Sequence, residues 1–333
     1  MPIQPPGLAH KGSISLSKET TQGTAATGTA NVRYPLISAP TITPGVSMVE
    51  SRSMNPNAST PRFLGQGPQQ PRIRFEIEIP YEGFEHIIRA ALPSVARAAG
   101  PPVVFTSKEA ATDPFSYTVE ADLGGIPTGK VNQMVGSRLI ELVIAGRVGE
   151  MLTAQIEMAG MSITENVTAL TQPTINADNG ILWHHALAAN ILDGSGVAGA
   201  DIELNSFELS LRIPHKTDRL YFGSVQPAVP VRIGNAPFRW SMGMVYSSHL
   251  LMNKARTNAA AAGGIELKFQ GGTVSGGNYA LQMKAQNPVA AEFAQEIPNF
   301  DLITQNVTWG LAYHVGDASA IVITTTNAGA ALP

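Results

Sequence analysis

The eight residues from Arg72 to Ile79, RIRFEIEI, alternate charged and apolar side chains without a fault. Such a period of two fits an extended strand with one face buried, so Ile73, Phe75, Ile77 and Ile79 are predicted to face a core and the charges to face away. The period changes after Pro80. Phe84, Ile87, Ile88, Ala91 and Leu92 then recur at helical spacing, which predicts a short helix that packs this stripe on a sheet and breaks near Pro93. Strand alternation returns in Phe115 to Glu120, Arg138 to Ile144 and Leu152 to Met158, separated by glycine-bearing turns. With 32 glycines and 24 prolines, the chain is punctuated for short strands and long loops, and a helical bundle is excluded as its architecture.

Charged residues make up 14% of the 333-residue chain, about half the usual share for a soluble domain, so a freely dispersed monomer would be thinly charged. The net charge of -3 offers no broad basic field for DNA phosphates. Its distribution is uneven: residues 1–74 hold seven basic groups against two acidic ones, leaving +5 there and -8 beyond. A basic N-terminal portion that docks on the acidic body of a neighbouring copy is the expectation. The chain has no cysteine, which excludes disulfides, thiolate zinc sites and cysteine nucleophiles. The opening MPIQPPGLAHKG lacks the apolar core of a signal peptide, and no apolar run is long enough for a membrane span; a soluble, unprocessed chain without membrane insertion is expected.

Residues 1–71 are rich in Gly, Pro, Ser, Thr and Asn and read as extended arms and loops ordered by assembly, with strand-like pieces such as Ser13 to Ser17. Residues 160–200 lose alternation, and a domain junction is placed there. Alternation resumes in Phe207 to Ile213 and Phe238 to Val245. A short helix is expected through His249 to Asn253, and strands at Ile265 to Phe269, Tyr279 to Ala285, Thr304 to His314 and Ala320 to Thr325. The second half therefore repeats the order of the first. RIRFEIEI with its helix parallels FRWSMGMV with SSHLLM, and RLIELVIAGRVGEMLTAQIEM parallels LITQNVTWGLAYHVGDASAIVITTT. This predicts two duplicated β domains, 1–165 and 166–333.

Motifs that could carry chemistry fail on their own terms. Gly124 to Lys130 satisfies the GxxxxGK part of a phosphate loop, but Val131 lacks the hydroxyl that would ligate magnesium, and no helix opens there. His184 and His185 are adjacent, so on extended backbone they point apart and do not chelate one metal; with Trp183 they read as a loop that packs or contacts a neighbour. Glu76 and Glu78 share a strand face, as exposed strand carboxylates commonly do, and no GxSxG elbow is present. No catalytic, cofactor-binding or metal-binding residue is predicted.

The run Lys18-Glu-Thr-Thr-Gln-Gly-Thr-Ala-Ala, then Glu50-Ser-Arg-Ser-Met-Asn, Arg62-Phe-Leu-Gly-Gln and FEIEIPYEGFEHIIRAAL, resembles the major tail tube proteins of long-tailed bacteriophages. GRVGEMLTAQIEMAGMSIT and, in the second half, ELNSFELSLRIPHKTDRLYFGS through IVITTTN continue the likeness, although the aromatic usual in the GRVGEM region is replaced. The resemblance implies a mainly β protein: tandem tail-tube-type β-barrel or sandwich domains, each with a short flanking helix, plus extended arms. It implies a structural virion protein, made in the host cytoplasm and found in the tail, that assembles with itself into stacked rings through which double-stranded DNA passes without sequence-specific binding. Tape-measure, tail terminator and distal tail proteins are its implied partners, and it would be no enzyme. With two equivalent domains per chain, three chains would complete a sixfold-like ring; six chains with the second domain outside is the alternative arrangement. Arg52, Arg62 and Arg72 are the expected inter-ring contacts, and the lumen is expected to be net acidic. A β-sandwich binding module for carbohydrate or a receptor, with an aromatic platform near Trp183, Trp240 or Trp309, is the other functional class that the strands permit.

Overall fold

The computed structural model describes residues 12–50, 64–98, 102–110, 115–124, 129–173, 180–191, 203–245, 264–274, 276–296 and 303–328. The strands run in chain order β1 (Ser13–Lys18), β2 (Val32–Pro35), β3 (Thr41–Thr43), β4 (Met48–Glu50), β5 (Leu64–Gln66) and β6 (Arg72–Glu78). One helix, α1 (Phe84–Ala91), comes next. Six strands follow it: β7 (Ser94–Ala98), β8 (Val103–Lys108), β9 (Tyr117–Asp122), β10 (Lys130–Arg147), β11 (Thr153–Ala159) and β12 (Ser162–Thr168). Beyond a 3-10 turn at Trp183–His185 lie β13 (Ala186–Ile191), β14 (Leu204–Arg212), β15 (His215–Lys216), β16 (Val231–Arg232) and β17 (Phe238–Val245). The last five are β18 (Ile265–Val274), β19 (Gly277–Ala285), β20 (Pro288–Glu296), β21 (Thr304–Leu311) and β22 (Val322–Asn327).

Eight strands lie side by side in the order β3-β6-β11-β10-β14-β17-β21-β20, every neighbouring pair antiparallel. The 18 residues of β10 exceed what one sheet needs. Its first half pairs with β9 and β12, in a layer that continues through β1 to β2, and its second half joins the eight-strand run. Register shifts at Met134/Ser137 and Leu139/Glu141 turn the strand between the two, as bulges do. A third sheet has the order β13-β18-β19-β22-β8-β7. One apolar cluster joins all three layers, from Ile14 and Phe75 through Leu142 and Trp240 to Leu267 and Ile323.

Pairing crosses residue 165 repeatedly, most extensively where β10 binds β14 and where β8 binds β22. The two halves expected from the sequence thus share one core. Their repetition takes another form. In the eight-strand run, β3-β6-β11-β10 is a quartet in which the chain visits positions first, second, fourth and third; β14-β17-β21-β20 is a second quartet with the same order. RIRFEIEI and FRWSMGMV take equivalent places, as the sequence parallel requires, but the hairpin β10–β11 corresponds to β20–β21 rather than to β21 and β22, which do not pair. The correspondence read from sequence is displaced by one hairpin, because PVAAEFAQE has too little alternation to be recognised as a strand.

The predicted helix face is in the core: Phe84, Ile87, Ile88, Ala91 and Leu92 are each no more than 2% exposed. Glu85 and His86, outside the predicted stripe, are buried too. The helix packs against β10 and β8, so it is an inner element rather than a surface one. The described part of the N-terminal stretch is also integral to the body, with Ile14 and Leu16 buried between β2 and β9. The helix expected at His249 to Asn253 lies outside the described residues.

Candidate functional surface

Alternation gives the eight-strand run two unlike faces. Ile73, Phe75, Leu142, Ile144, Ile156, Leu209, Trp240, Met242, Val307 and Trp309 supply the core face. Strand register assembles the opposite face into rows across the sheet. One row reads Thr41, Arg74, Glu157, Glu141 and Arg212. The next reads Glu76, Gln155, Val143, Ser210, Arg239, Gly310 and Val289. A third reads Glu78, Thr153, Ala145, Glu208, Ser241, Thr308 and Glu292. Short side chains flank Glu208 at its middle, beside a shallow depression of about 380 Å³ bordered by Ala145, Ser206, Ser241, Gly243 and Thr308.

Charges on this face nearly balance, with Glu76, Glu78, Glu141, Glu157, Glu208 and Glu292 against Arg72, Arg74, Arg147, Arg212 and Arg239. Several of these groups hold one another: Arg72 pairs with Glu157 at 3.0 Å, Arg74 donates to the Gln155 side-chain oxygen at 3.0 Å, and the Ser241 and Thr308 hydroxyls meet at 3.0 Å. Such contacts fix part of a polar surface around the shallow depression.

Of the residues expected between rings, Arg72 stands on this face at the end of β6, engaged by Glu157; Arg52 and Arg62 lie outside the described residues. Lys130 opens β10 and its ammonium donates to the Thr168 hydroxyl at 2.7 Å; residues 125–128 of that motif lie outside the described residues. His185 accepts at Nδ1 from the Leu182 N–H at 3.3 Å, with the Tyr81 hydroxyl 3.1 Å away, and burial lowers its pKa. It is a packing residue. Trp240 and Trp309 are fully buried opposite each other on β17 and β21, so of the three tryptophans only Trp183 reaches the surface.

Sequence reasoning missed how the KETT and YEGF stretches act. The Glu19 carboxylate is buried and accepts from the backbone N–H of Gly23 at 2.8 Å and of Gly136 at 2.7 Å, and from the hydroxyls of Ser116 at 2.6 Å and Thr118 at 3.1 Å. It thereby ties the segment after β1 to the bend of β10. Gly83 has φ 88°, and a Cβ there would lie 2.8 Å from a Val32 methyl; its carbonyl accepts from the Tyr34 hydroxyl at 2.6 Å. A left-handed residue in that space must be glycine. The spacing in sequence marked these residues as distinctive, but apart from Gly23 their partners lie 49 to 117 positions away and could be found only from the fold.

A family model described as phage tail tube protein matches residues 9–310. No curated protein matches the chain.

Proposed function

Because the chain belongs to the phage tail tube protein family, a structural component of the virion tail, we propose that three copies close into a ring of pseudo-sixfold symmetry whose stacked repeats form a conduit for DNA. The observation that carries this reading is the tandem quartet. Strand direction alternates across all eight strands, so the free side of β20 and the free side of β3 have opposite directions, the same relation as β10 and β14. The seam β10–β14 inside one chain is thus a template for a seam β20–β3 between chains. Repeating it closes the sheet and removes both edges.

Three copies would contribute eight strands each. At about 4.8 Å between strands, such a barrel is roughly 37 Å across its backbone with strands along the axis and about 48 Å at a 40° tilt. Either width leaves room for a DNA duplex inside the side chains. The polar face would line that space and the apolar face would bear the outer layers. A lining of near-balanced charge with short central side chains neither attracts phosphates strongly nor snags them.

Native mass measurement of isolated rings, with end-view averaging of tubes by electron microscopy, tests the proposal. Three chains per ring with six similar lobes is the expected result. Six chains per ring, or a chain that stays monomeric at every concentration, overturns the trimer.

A further inference from the structure

Exposed apolar side chains gather at the two opposite ends of the eight-strand run. At the end where β14 finishes and β6 and β17 begin, the loop between β14 and β17 carries Leu220, Tyr221, Phe222 and Val225, with Met48 and Val49 of β4 also exposed; Phe222 is as exposed as a side chain can be. This loop is held in shape. Ala228 N–H donates to Arg219 at 2.8 Å, Ser224 N–H to Tyr221 at 3.3 Å, and Gln69 N–H reaches Val225 at 2.9 Å. Gly223, at φ 91°, makes the turn that thrusts Phe222 outward.

At the other end, where β10 finishes and β14 begins, a cavity of about 400 Å³ opens between the eight-strand run and the sheet of β13 and β18. Its buried lining is Phe207, Leu267 and Phe269, and its exposed rim includes Trp183 and Leu187. The Phe207 and Phe269 rings stand 5.8 Å apart, tilted by 36°. Leu187 falls at a register shift between Ala186 and Ala188, which takes it out of the β13–β18 ladder. A hollow with an apolar floor and a rim that also carries Arg147, His184, Asn205 and Ser206 thus sits at one pole, and an exposed aromatic at the other.

We propose that Phe222 of one copy seats in the Trp183–Leu187 cavity of the copy in the next ring, making the axial contact of the tube. This rests on the tube reading above and adds which surfaces meet. The contact is head to tail: knob and hollow lie on opposite poles of the same subunit, so each ring offers one and uses the other. A heterologous contact of that kind propagates as an open filament instead of closing on itself. Burying an aromatic ring in a preformed apolar hollow supplies the core of such an interface. Each rim also carries both signs of charge, Arg147 and Glu150 beside the hollow and Asp218 and Arg219 beside the knob, so opposite signs are on offer to each side.

The chain has no cysteine of its own, so a cross-link reports only on engineered pairs. Leu187→Cys with Phe222→Cys, assembled and then oxidised, is expected to give a ladder of monomer multiples on a non-reducing gel, while each single variant gives none. Because the two positions are at opposite poles, one chain cannot bridge itself. Phe222→Ser is expected to keep the ring of the unsubstituted protein and to shorten tubes at least tenfold. Tubes of normal length from Phe222→Ser, tubes of the double variant that yield no ladder, or dimers from Phe222→Cys alone, which would mean like meeting like, each overturn the pairing while leaving the ring reading in place. Failure of the unsubstituted chain to form rings or tubes overturns the reading beneath it.

Discussion

Two ionisable residues on α1 titrate against each other. Burial pushes the Glu85 carboxyl up from 4.5 to about 7, and burial, followed by the Arg89 charge, brings the His86 imidazole down from 6.5 to about 4. Between pH 4.5 and 7 the folded chain holds the Glu85 proton that the unfolded chain releases, so this group lowers stability as pH rises. Between pH 4 and 6.5 the unfolded chain binds the His86 proton that the folded chain refuses, so this group raises stability as pH rises. The two slopes oppose through their shared window. Glu85→Gln should therefore leave a melting temperature that climbs from pH 4.5 to 6.5, and His86→Gln one that declines there, while the parent stays flatter than both; identical profiles for all three proteins would refute it. The same residues show where reading by period stops. A helical wheel puts Glu85 and His86 away from the apolar stripe, and nothing local reveals that the layers around α1 close over that side as well.

Strands were legible in proportion to how cleanly they alternate. RIRFEIEI, FELSLRI and FRWSMGMV declare themselves because each has one wet and one buried face. In β20 the face is diluted by alanine and opens with Pro288, which the first position of a strand tolerates. In β10 the bends at Met134 and Leu139 break the period, and the visible fragment stops at half the true length. The polar face was invisible for a different reason: its rows are set by register between strands far apart in the chain. A proline scan over Glu292, Phe293, Ala294 and Gln295 should divide these positions into two classes. Where the N–H serves β21, proline should lower the melting temperature; where it points outward, the subunit should melt normally yet fail to join its neighbour. Normal rings from every well-folded proline variant would show that β20 is no seam.

In the tube proposed above, the lining would decide what passes. Charge reversal at Glu76, Glu141 and Glu208 to lysine would convert the near-neutral face to a basic one without touching the core. Tubes of that variant should retain linear duplex DNA at about 0.15 M salt and release it as salt rises, whereas the parent should not retain it. Equal behaviour of the two would place the polar face elsewhere than the lumen. The β10–β14 seam has one more consequence. A chain that carries two quartets already joined can add them to a ring only in pairs, and the join within each pair forms at no cost in translational freedom. Off-by-one closures around five or seven quartets are barred by parity. In the proposed ring, covalent connectivity would thereby exclude every odd count of quartets, ahead of any contact between copies.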